Sequence, residues 1–136
     1  KKSASEMDLI SIGKNMKTKM DISNFQNVDI VLIENQISPI ATRMKTIQGM
    51  LAQFFIMKND NIQIEFISSK NKLKGLETNY ENINSQYKQH KKDAIFHTNN
   101  ILEKYFSNWK HIMESSKKDD LADAFLQGLY YINLSN

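Results

Sequence analysis

Val28–Glu34 reads Val-Asp-Ile-Val-Leu-Ile-Glu, a nearly continuous run of β-branched and leucine side chains. Such a run is typical of a strand that is covered on both faces, as in parallel sheets. Asn61–Ile67 alternates apolar and polar residues, which predicts a second strand with one covered face. Between them, Ile40–Met57 repeats apolar residues at close to the helical period and follows Pro39, a residue that starts helices well. The order strand–helix–strand predicts an α/β fold with parallel strands.

The flanking sequence adds helices but no further strand. Apolar periodicity predicts helices near Asp8–Met20, over Ile95–Ile112 and over Lys117–Leu134. Gly49, in the middle of the crossover helix, is expected to let another backbone approach closely. Residues 1–27 offer no third strand, and two strands do not make a stable parallel sheet. We therefore expect a missing N-terminal segment or a partner to complete the sheet.

The composition excludes several classes of protein. The 136 residues suffice for one domain with a core and are few for two. No apolar run approaches the roughly 18 residues of a membrane span, and the N-terminal residues lack the apolar stretch of a secretory signal. The lack of cysteine excludes disulfides and thiolate metal sites and favours an intracellular setting. The net charge of +3 is compatible with binding to nucleic acid but does not require it. The sequence contains no P-loop motif, so we expect no nucleotide cofactor.

The helix predicted over Lys117–Leu134 carries candidate catalytic groups. Ser116 and Asp119 form a capping signal at its start, and Asp120 and Asp123 stand one turn apart. At about 100° per residue, six small or apolar residues fall on one stripe that we expect to be buried. They are Leu121, Ala124, Phe125, Gly128, Leu129 and Ile132. Asp120 and Asp123 lie side by side at the border of this stripe, whereas Asp119 is expected to point away from it.

Glu34 is a further candidate because it ends the first strand, and ligands of α/β proteins gather at the carboxyl ends of strands. Carboxylates at such a place are hard oxygen ligands that suit Mg²⁺ or Mn²⁺. Two such ions about 4 Å apart activate a water molecule and stabilise the leaving oxygen of a phosphodiester. The alternative is an ordinary helix start, where acidic residues favour the helix dipole without binding a metal. The spacing of the residues leaves both interpretations open.

Four stretches are informative in their order along the chain. They are Ile30–Gln36 (Ile-Val-Leu-Ile-Glu-Asn-Gln), Met44–Gln48 (Met-Lys-Thr-Ile-Gln), Phe66–Lys74 (Phe-Ile-Ser-Ser-Lys-Asn-Lys-Leu-Lys) and Lys117–Tyr131 (Lys-Lys-Asp-Asp-Leu-Ala-Asp-Ala-Phe-Leu-Gln-Gly-Leu-Tyr-Tyr). Together they resemble the RuvC-like Holliday junction resolvases, above all their poxvirus and giant-virus branch, which is related to the fungal mitochondrial resolvases. The resemblance implies a ribonuclease-H-like fold and a homodimer that nicks four-way DNA junctions symmetrically, with four carboxylates and Mg²⁺ or Mn²⁺, two ions per complete site. It gives the catalytic and metal-binding roles to Glu34, Asp120 and Asp123.

The resemblance also predicts how the chain is organised. Residues 1–136 would form a single incomplete nuclease domain, with 1–27 as a lead-in helix or linker and 28–136 as the part that resembles the family. The family's first carboxylate is an aspartate on its first strand, and no such strand precedes Val28 here. We therefore expect a copy that lacks the family's first three strands and cleaves DNA weakly or not at all.

Five lysines are candidates for contact with DNA phosphates. They are Lys70, Lys72 and Lys74 in the predicted loop after the second strand, and Lys117 and Lys118 before the aspartates. The alternatives are a solvated loop and simple charge balance. The crossover helix carries more apolar surface than a small sheet needs, so we predict a dimer interface on it. The residues of this predicted interface are Met44, Gln48, Leu51 and Phe55.

The aromatic residues of the last two helices are interpreted as core, with stacking on bases as the alternative. They are Tyr105, Phe106, Trp109, Phe125, Tyr130 and Tyr131. The leading functional hypothesis is a structure-specific endonuclease acting on branched DNA, in the host-cell cytoplasm or virus factory rather than in mitochondria. A non-catalytic junction-binding module and a nuclease for RNA–DNA hybrids are the alternatives.

Overall fold

The computed structural model describes residues 6–23, 25, 27–37, 41–71, 73–74 and 86–134. The chain divides into two compact units, Lys1–Ser68 and Ser69–Asn136. The described residues are mostly helical and contain a two-stranded parallel sheet, which confirms the α/β class in its coarser form. Pro39, which was predicted to start the crossover helix, and Lys72, a candidate contact for DNA, lie outside the described residues.

The first unit is a strand–helix–strand arrangement preceded by a helix. Its described elements are α1 (Leu9–Ile22), β1 (Ile30–Glu34), α2 (Thr42–Lys58) and β2 (Gln63–Ile67). The two strands are parallel, and their register runs from Ile30 opposite Gln63 to Glu34 opposite Ile67. Both predicted strands, their parallel pairing and the crossover helix are therefore confirmed. The helix predicted to start near Asp8 is confirmed as well, because Asp8 Oδ1 caps α1 by accepting a hydrogen bond from Ser11 N at 2.8 Å.

The expectation that β1 is covered on both faces was wrong. Ile33 is its one buried side chain, and Ile30 is exposed. On β2, half of the Phe66 side-chain surface is exposed. Among the described residues, α2 packs against β1 and the sheet has two strands, so a single crossover helix provides the cover.

Gly13 is the point of close approach between α1 and α2. A Cβ atom at Gly13 would lie 2.5 Å from Met50 Cε, whereas a Cβ at Gly49 would meet no described atom within 4 Å. The expectation of a close approach at Gly49 was therefore wrong, because the missing side chain that matters belongs to α1. Asp21 at the end of α1 also ties the two helices, since its carboxylate lies 2.7 Å from the Nζ atom of Lys58 on α2.

The second unit is helical. Its described elements are a 3₁₀ turn (Ser69–Asn71), α3 (Gln86–Tyr105), a 3₁₀ helix (Ser107–Glu114) and α4 (Lys118–Leu134). One continuous hydrophobic core joins α3, the 3₁₀ helix and α4. The buried members of this core are Ala94, Leu102, Met113, Ala122 and Leu126.

The prediction of one helix over Ile95–Ile112 was wrong at both ends. α3 starts nine residues earlier, at Gln86, in a polar stretch that carries little apolar periodicity. It ends at Tyr105, and Trp109 N then donates to Phe106 O at 2.8 Å, which closes the first turn of the 3₁₀ helix. Ser107 and Asn108 favour caps and turns over helix interiors, and the surrounding apolar residues masked that signal.

Candidate catalytic site

α4 confirms the helix predicted over Lys117–Leu134 to within one residue. Its start is organised by Ser115 rather than by Ser116. Lys117 N donates to Ser115 Oγ at 3.1 Å, and Lys118 N donates to Ser115 O at 3.2 Å. Ser115 N donates to Ile112 O at 3.2 Å, and the extended backbone of Ser115 then ends the 3₁₀ helix, so this residue separates the two helices.

The buried face of α4 is rotated from the predicted stripe. Ala122 and Leu126 are its buried apolar residues, with Leu126 only 2% exposed, whereas Leu121 and Ile132 of the predicted stripe are exposed. On the helical wheel, Ala122 and Leu126 lie about 100° and 140° from Leu121. The rotation follows from tertiary contacts, because α3 and the 3₁₀ helix pack on Ala122 and Leu126.

This rotation changes the positions of the three aspartates. Asp119 lies about 160° and Asp123 about 200° from Leu121, so both flank the buried face. Asp120, at about 260°, lies farthest from it, and its side chain is 65% exposed. The expectation that Asp119 points away from the packed face was therefore wrong.

Asp119 anchors the first turn of α4 to α3. Its Oδ2 atom lies 2.5 Å from Lys91 Nζ, and the Asp119 side chain is only 27% exposed. The hydrogen bond from Lys91 holds the pKa of the Asp119 carboxyl below its ordinary value. The one hint of this pair in the sequence is a basic cluster of Lys88, Lys91 and Lys92, which fits a track for DNA and a plain surface helix equally well.

Asp120 and Asp123 differ in surroundings although they stand one turn apart. Asp123 is half-buried, and its Oδ1 atom is shielded from solvent. The exposed Asp120 has its Oδ2 atom 3.6 Å from Lys117 Nζ. Residues with this spacing have Cβ atoms about 5–6 Å apart, so the two carboxylates can act on one ligand. Packing thus restrains the Asp123 carboxylate, while the Asp120 carboxylate faces solvent.

Glu34 ends β1, as predicted, and its side chain is exposed. The backbone around it is held in place, since Asn35 N donates to Ile67 O at 2.8 Å and Gln36 N donates to Gln48 Oε1 at 2.8 Å. Gln48 lies on α2, so the crossover helix fixes the chain that leaves the strand. Sequence reasoning missed this pair, although both glutamines stand in the motifs that carry the resemblance.

The predicted dimer interface on α2 was wrong at one of its four residues, Phe55. Phe55 is buried inside the first unit, where its ring lies edge-on to Phe25 at 5.3 Å and to Phe54 at 5.5 Å between centroids. The Gln48 amide is engaged with Gln36. Met44 remains exposed.

The candidate DNA-binding lysines lie in three settings. Lys70 is exposed on the 3₁₀ turn, and Lys74 Nζ lies 5.7 Å from the centre of the Tyr130 ring of α4. Lys117 pairs with Asp120, as the charge-balance alternative expects, and Lys118 is exposed at the first position of α4.

Divalent-metal chemistry fits the α4 carboxylates in ligand type. Asp120 and Asp123 supply hard oxygen ligands, which Mg²⁺ and Mn²⁺ prefer. Within the described ranges, no three histidine, aspartate or glutamate side chains are grouped closely enough to hold a metal ion. In the part of the chain that the structure describes, no helix is long and apolar enough to cross a membrane.

Comparison with known proteins relates the chain to a viral protein family and to a giant-virus protein. The model of a family described as poxvirus A22 protein matches residues 3–136. An uncharacterised protein of Acanthamoeba polyphaga mimivirus is 33% identical over 120 residues, which cover 77% of this chain and 29% of that protein. The chain therefore spans less than a third of the length of this curated relative. No solved structure matches the chain.

Proposed function

This chain belongs to the poxvirus A22 protein family, which is associated with Holliday junction resolvase activity, and we propose that it is a structure-specific endonuclease acting on four-way DNA junctions. The reaction is metal-dependent hydrolysis of a phosphodiester, with Mg²⁺ or Mn²⁺ as the cofactor. The observation that carries the proposal is the start of α4, where the half-buried Asp123 and the exposed Asp120 stand one turn apart on a helix fixed by its core.

Each acidic residue has a distinct role in this proposal. Asp120 and Asp123 are ligands of the divalent metal in this proposal, and the resemblance gives the same role to Glu34. When bound, such ions supply an activated water and stabilise the leaving oxygen. Asp119 is not a ligand here, because Lys91 holds it in an ion pair that fixes the first turn of α4 against α3.

The substrate is recognised mainly through its shape and its phosphates, because a branch point offers no fixed base sequence. Lys70, Lys72, Lys74 and Lys118 contact phosphates in this proposal, and Lys117 exchanges Asp120 for a phosphate when DNA binds. The protein acts as a homodimer in the host-cell cytoplasm or virus factory. The exposed side chain of Met44 on α2 supports a dimer interface there.

Nicking of a labelled four-way junction at high protein concentration tests the proposal. Asp123→Asn is expected to lower Mg²⁺-dependent nicking on the order of a hundredfold, because it removes a charged metal ligand. Junction binding is expected to change by less than about twofold, since hydrolysis and phosphate contact use different groups. Glu114→Gln, an exposed change on the 3₁₀ helix, is the matched control and leaves nicking unchanged.

Binding of Mn²⁺, followed by electron paramagnetic resonance, gives a second readout that does not depend on activity. Asp123→Asn is expected to weaken it, and Glu114→Gln is not. Equal nicking and equal Mn²⁺ binding by Asp123→Asn and the wild type would contradict the assignment of Asp123.

The Lys117–Asp120 ion pair favours one alternative, a junction-binding module without catalysis. A lysine close to a carboxylate balances its charge without any metal. Tight junction binding by the wild type without nicking at any Mg²⁺ or Mn²⁺ concentration would select this alternative.

A further inference from the structure

The second unit contains a cavity of about 360 Å³ on the side of α4 where Leu121 and Phe125 lie. Its walls come from α3, the 3₁₀ helix and α4, and they are apolar except at Thr98. Leu121, which stands between Asp120 and Asp123 in the sequence of α4, lines this cavity. The volume is at the lower end of the range of roughly 300–1,000 Å³ that small-ligand pockets have.

Thr98 gives the cavity a polar group whose hydrogen-bonding capacity is unused. Its side chain is 1% exposed, and its Oγ1 atom has no hydrogen-bond partner among the described residues. A buried hydroxyl without a partner is unfavourable, so a ligand with a polar edge gains more from this site than a purely apolar one. An aliphatic side chain inserted from another protein would leave the hydroxyl unpaired.

Aromatic rings form the entrance of the cavity. Trp109 is 58% exposed, and Phe106 is exposed beside it, with its ring edge-on to Phe125 at 6.4 Å between centroids. Both rings line the cavity, which the sequence-based interpretation as core did not anticipate. Exposed aromatic faces are a common device for holding unpaired bases. Two lysines lie near these rings in the sequence: Lys104 Nζ lies 4.9 Å from the centre of the Tyr105 ring, and Lys110 Nζ lies 3.2 Å from Glu103 Oε1.

We infer that this cavity receives one unstacked nucleobase of branched DNA. The base stacks on Trp109 and Phe106, and its polar edge pairs with the hydroxyl of Thr98. This inference rests on the proposed function, because the base belongs to the same junction whose phosphate reaches Asp120 and Asp123. The flipped base would fix the register of the strand along α4.

Junctions with abasic sites at the branch point test the inference. The wild type is expected to bind the intact junction about tenfold more tightly than the abasic one, as a single base–aromatic stack allows. Trp109→Leu and Thr98→Val are each expected to reduce this preference, because each removes one of the groups that hold the base. Tyr105→Leu is the matched control, because Tyr105 is exposed next to Phe106 but does not line the cavity, and it keeps the tenfold preference.

Two further measurements make the result decisive. Thr98→Val replaces an unpaired hydroxyl with a methyl group, so its melting temperature is expected to equal or exceed that of the wild type, and a lost preference cannot then come from unfolding. Trp109 is the one tryptophan of the chain, so its fluorescence is expected to be quenched by the intact junction and not by the abasic one.

Equal binding of intact and abasic junctions by the wild type would overturn the cavity inference and leave the proposed function standing. Failure of the wild type to prefer a junction over linear duplex would overturn both. If Trp109→Leu instead converts a dimer into a monomer in sedimentation and leaves the base preference unchanged, the cavity holds a side chain of a second copy, and the inference is wrong.

Discussion

The two units of the chain hold their candidate catalytic groups in opposite ways. In the first unit, Glu34 ends a strand of a two-stranded sheet, where the backbone is fixed and the side chain is exposed. In the second, Asp123 is half-buried on a helix whose neighbouring residues belong to a continuous core. Rigid elements position functional groups only as well as the packing around them allows. Asp123 is therefore positioned by the packing of its own unit, whereas the position of Glu34 depends on backbone hydrogen bonds.

Truncation of one core residue in each unit tests this difference between the units and has the largest expected effect. Leu126→Ala is expected to lower the free energy of unfolding by about 2–5 kcal/mol, because Leu126 of α4 is nearly fully buried in the core that α4 forms with α3 and the 3₁₀ helix. Phe55→Ala should cost about 3–5 kcal/mol in the first unit. Hydrogen exchange then identifies the weakened unit, with the α4 amides losing protection only in Leu126→Ala.

Ile132→Ala is the control for Leu126→Ala, because Ile132 lies on the exposed side of the same helix. It should change the free energy of unfolding by less than about 0.5 kcal/mol. Similar losses for Leu126→Ala and Ile132→Ala would mean that the buried face of α4 is not the one described.

Substitution of the helical glycines by alanine tests the stability of the same units with a smaller expected effect. Gly49→Ala on α2 and Gly128→Ala on α4 add a methyl group where nothing described lies within 4 Å. Each should stabilise its unit by about 0.5–1 kcal/mol through helix propensity, measured by urea unfolding. Gly13→Ala should gain less, because Met50 has to move away from the new methyl group. A larger gain at Gly13 than at Gly49 would contradict the described contact between α1 and α2.

The smallest expected effect concerns the ion pairs that tie the helices of each unit. Lys17 and Lys58 lower the pKa of the Asp21 carboxyl, and Lys91 lowers that of Asp119. Lys58→Met should leave the pKa of Asp21 below its ordinary value, since Lys17 stays in place. Lys91→Met should return Asp119 close to that value. Carbon-13 NMR titration of the carboxyl groups measures both.

The sign of the pH dependence follows from these pKa values. A carboxyl whose pKa is lower in the folded state stabilises the fold above its ordinary value of about 3.9, and this contribution is lost as the pH falls through the folded pKa. The wild type should therefore lose more stability than Lys91→Met between neutral pH and about pH 3. An equal loss in acid would show that the Lys91–Asp119 pair does not contribute.

The sequence predicted the elements with a local signature and missed those that depend on tertiary contacts. The run in Val28–Glu34 and the period of α4 are properties of a few neighbouring residues, and both elements lie where they were expected. The buried side of α4 depends on what packs against it, and no periodicity reveals that α3 covers Ala122 rather than Leu121. The partner of Asp119 is 28 residues away in the sequence, so its role could not be read from the helix alone.

The candidate site shows the same division. Glu34, Asp120 and Asp123 were identified from strand and helix positions and from the resemblance, and their roles stay predictions. The hydrogen bond between Gln36 and Gln48 was not foreseen, because it links a loop to a helix twelve residues on. The cavity at Trp109 was hidden as well, since exposed and buried aromatic residues have the same helical spacing.

The joint at Ser115 sets a limit on how the chain can change in length. Only three residues separate the 3₁₀ helix from α4, and the Ser115 hydroxyl and carbonyl both bond to the start of α4. One residue inserted there would move the Ser115 hydroxyl and carbonyl away from the first amides of α4, which would lose both hydrogen-bond acceptors. Surface loops usually tolerate insertions and deletions during evolution. At this joint, related chains should instead vary in sequence while keeping the residue count.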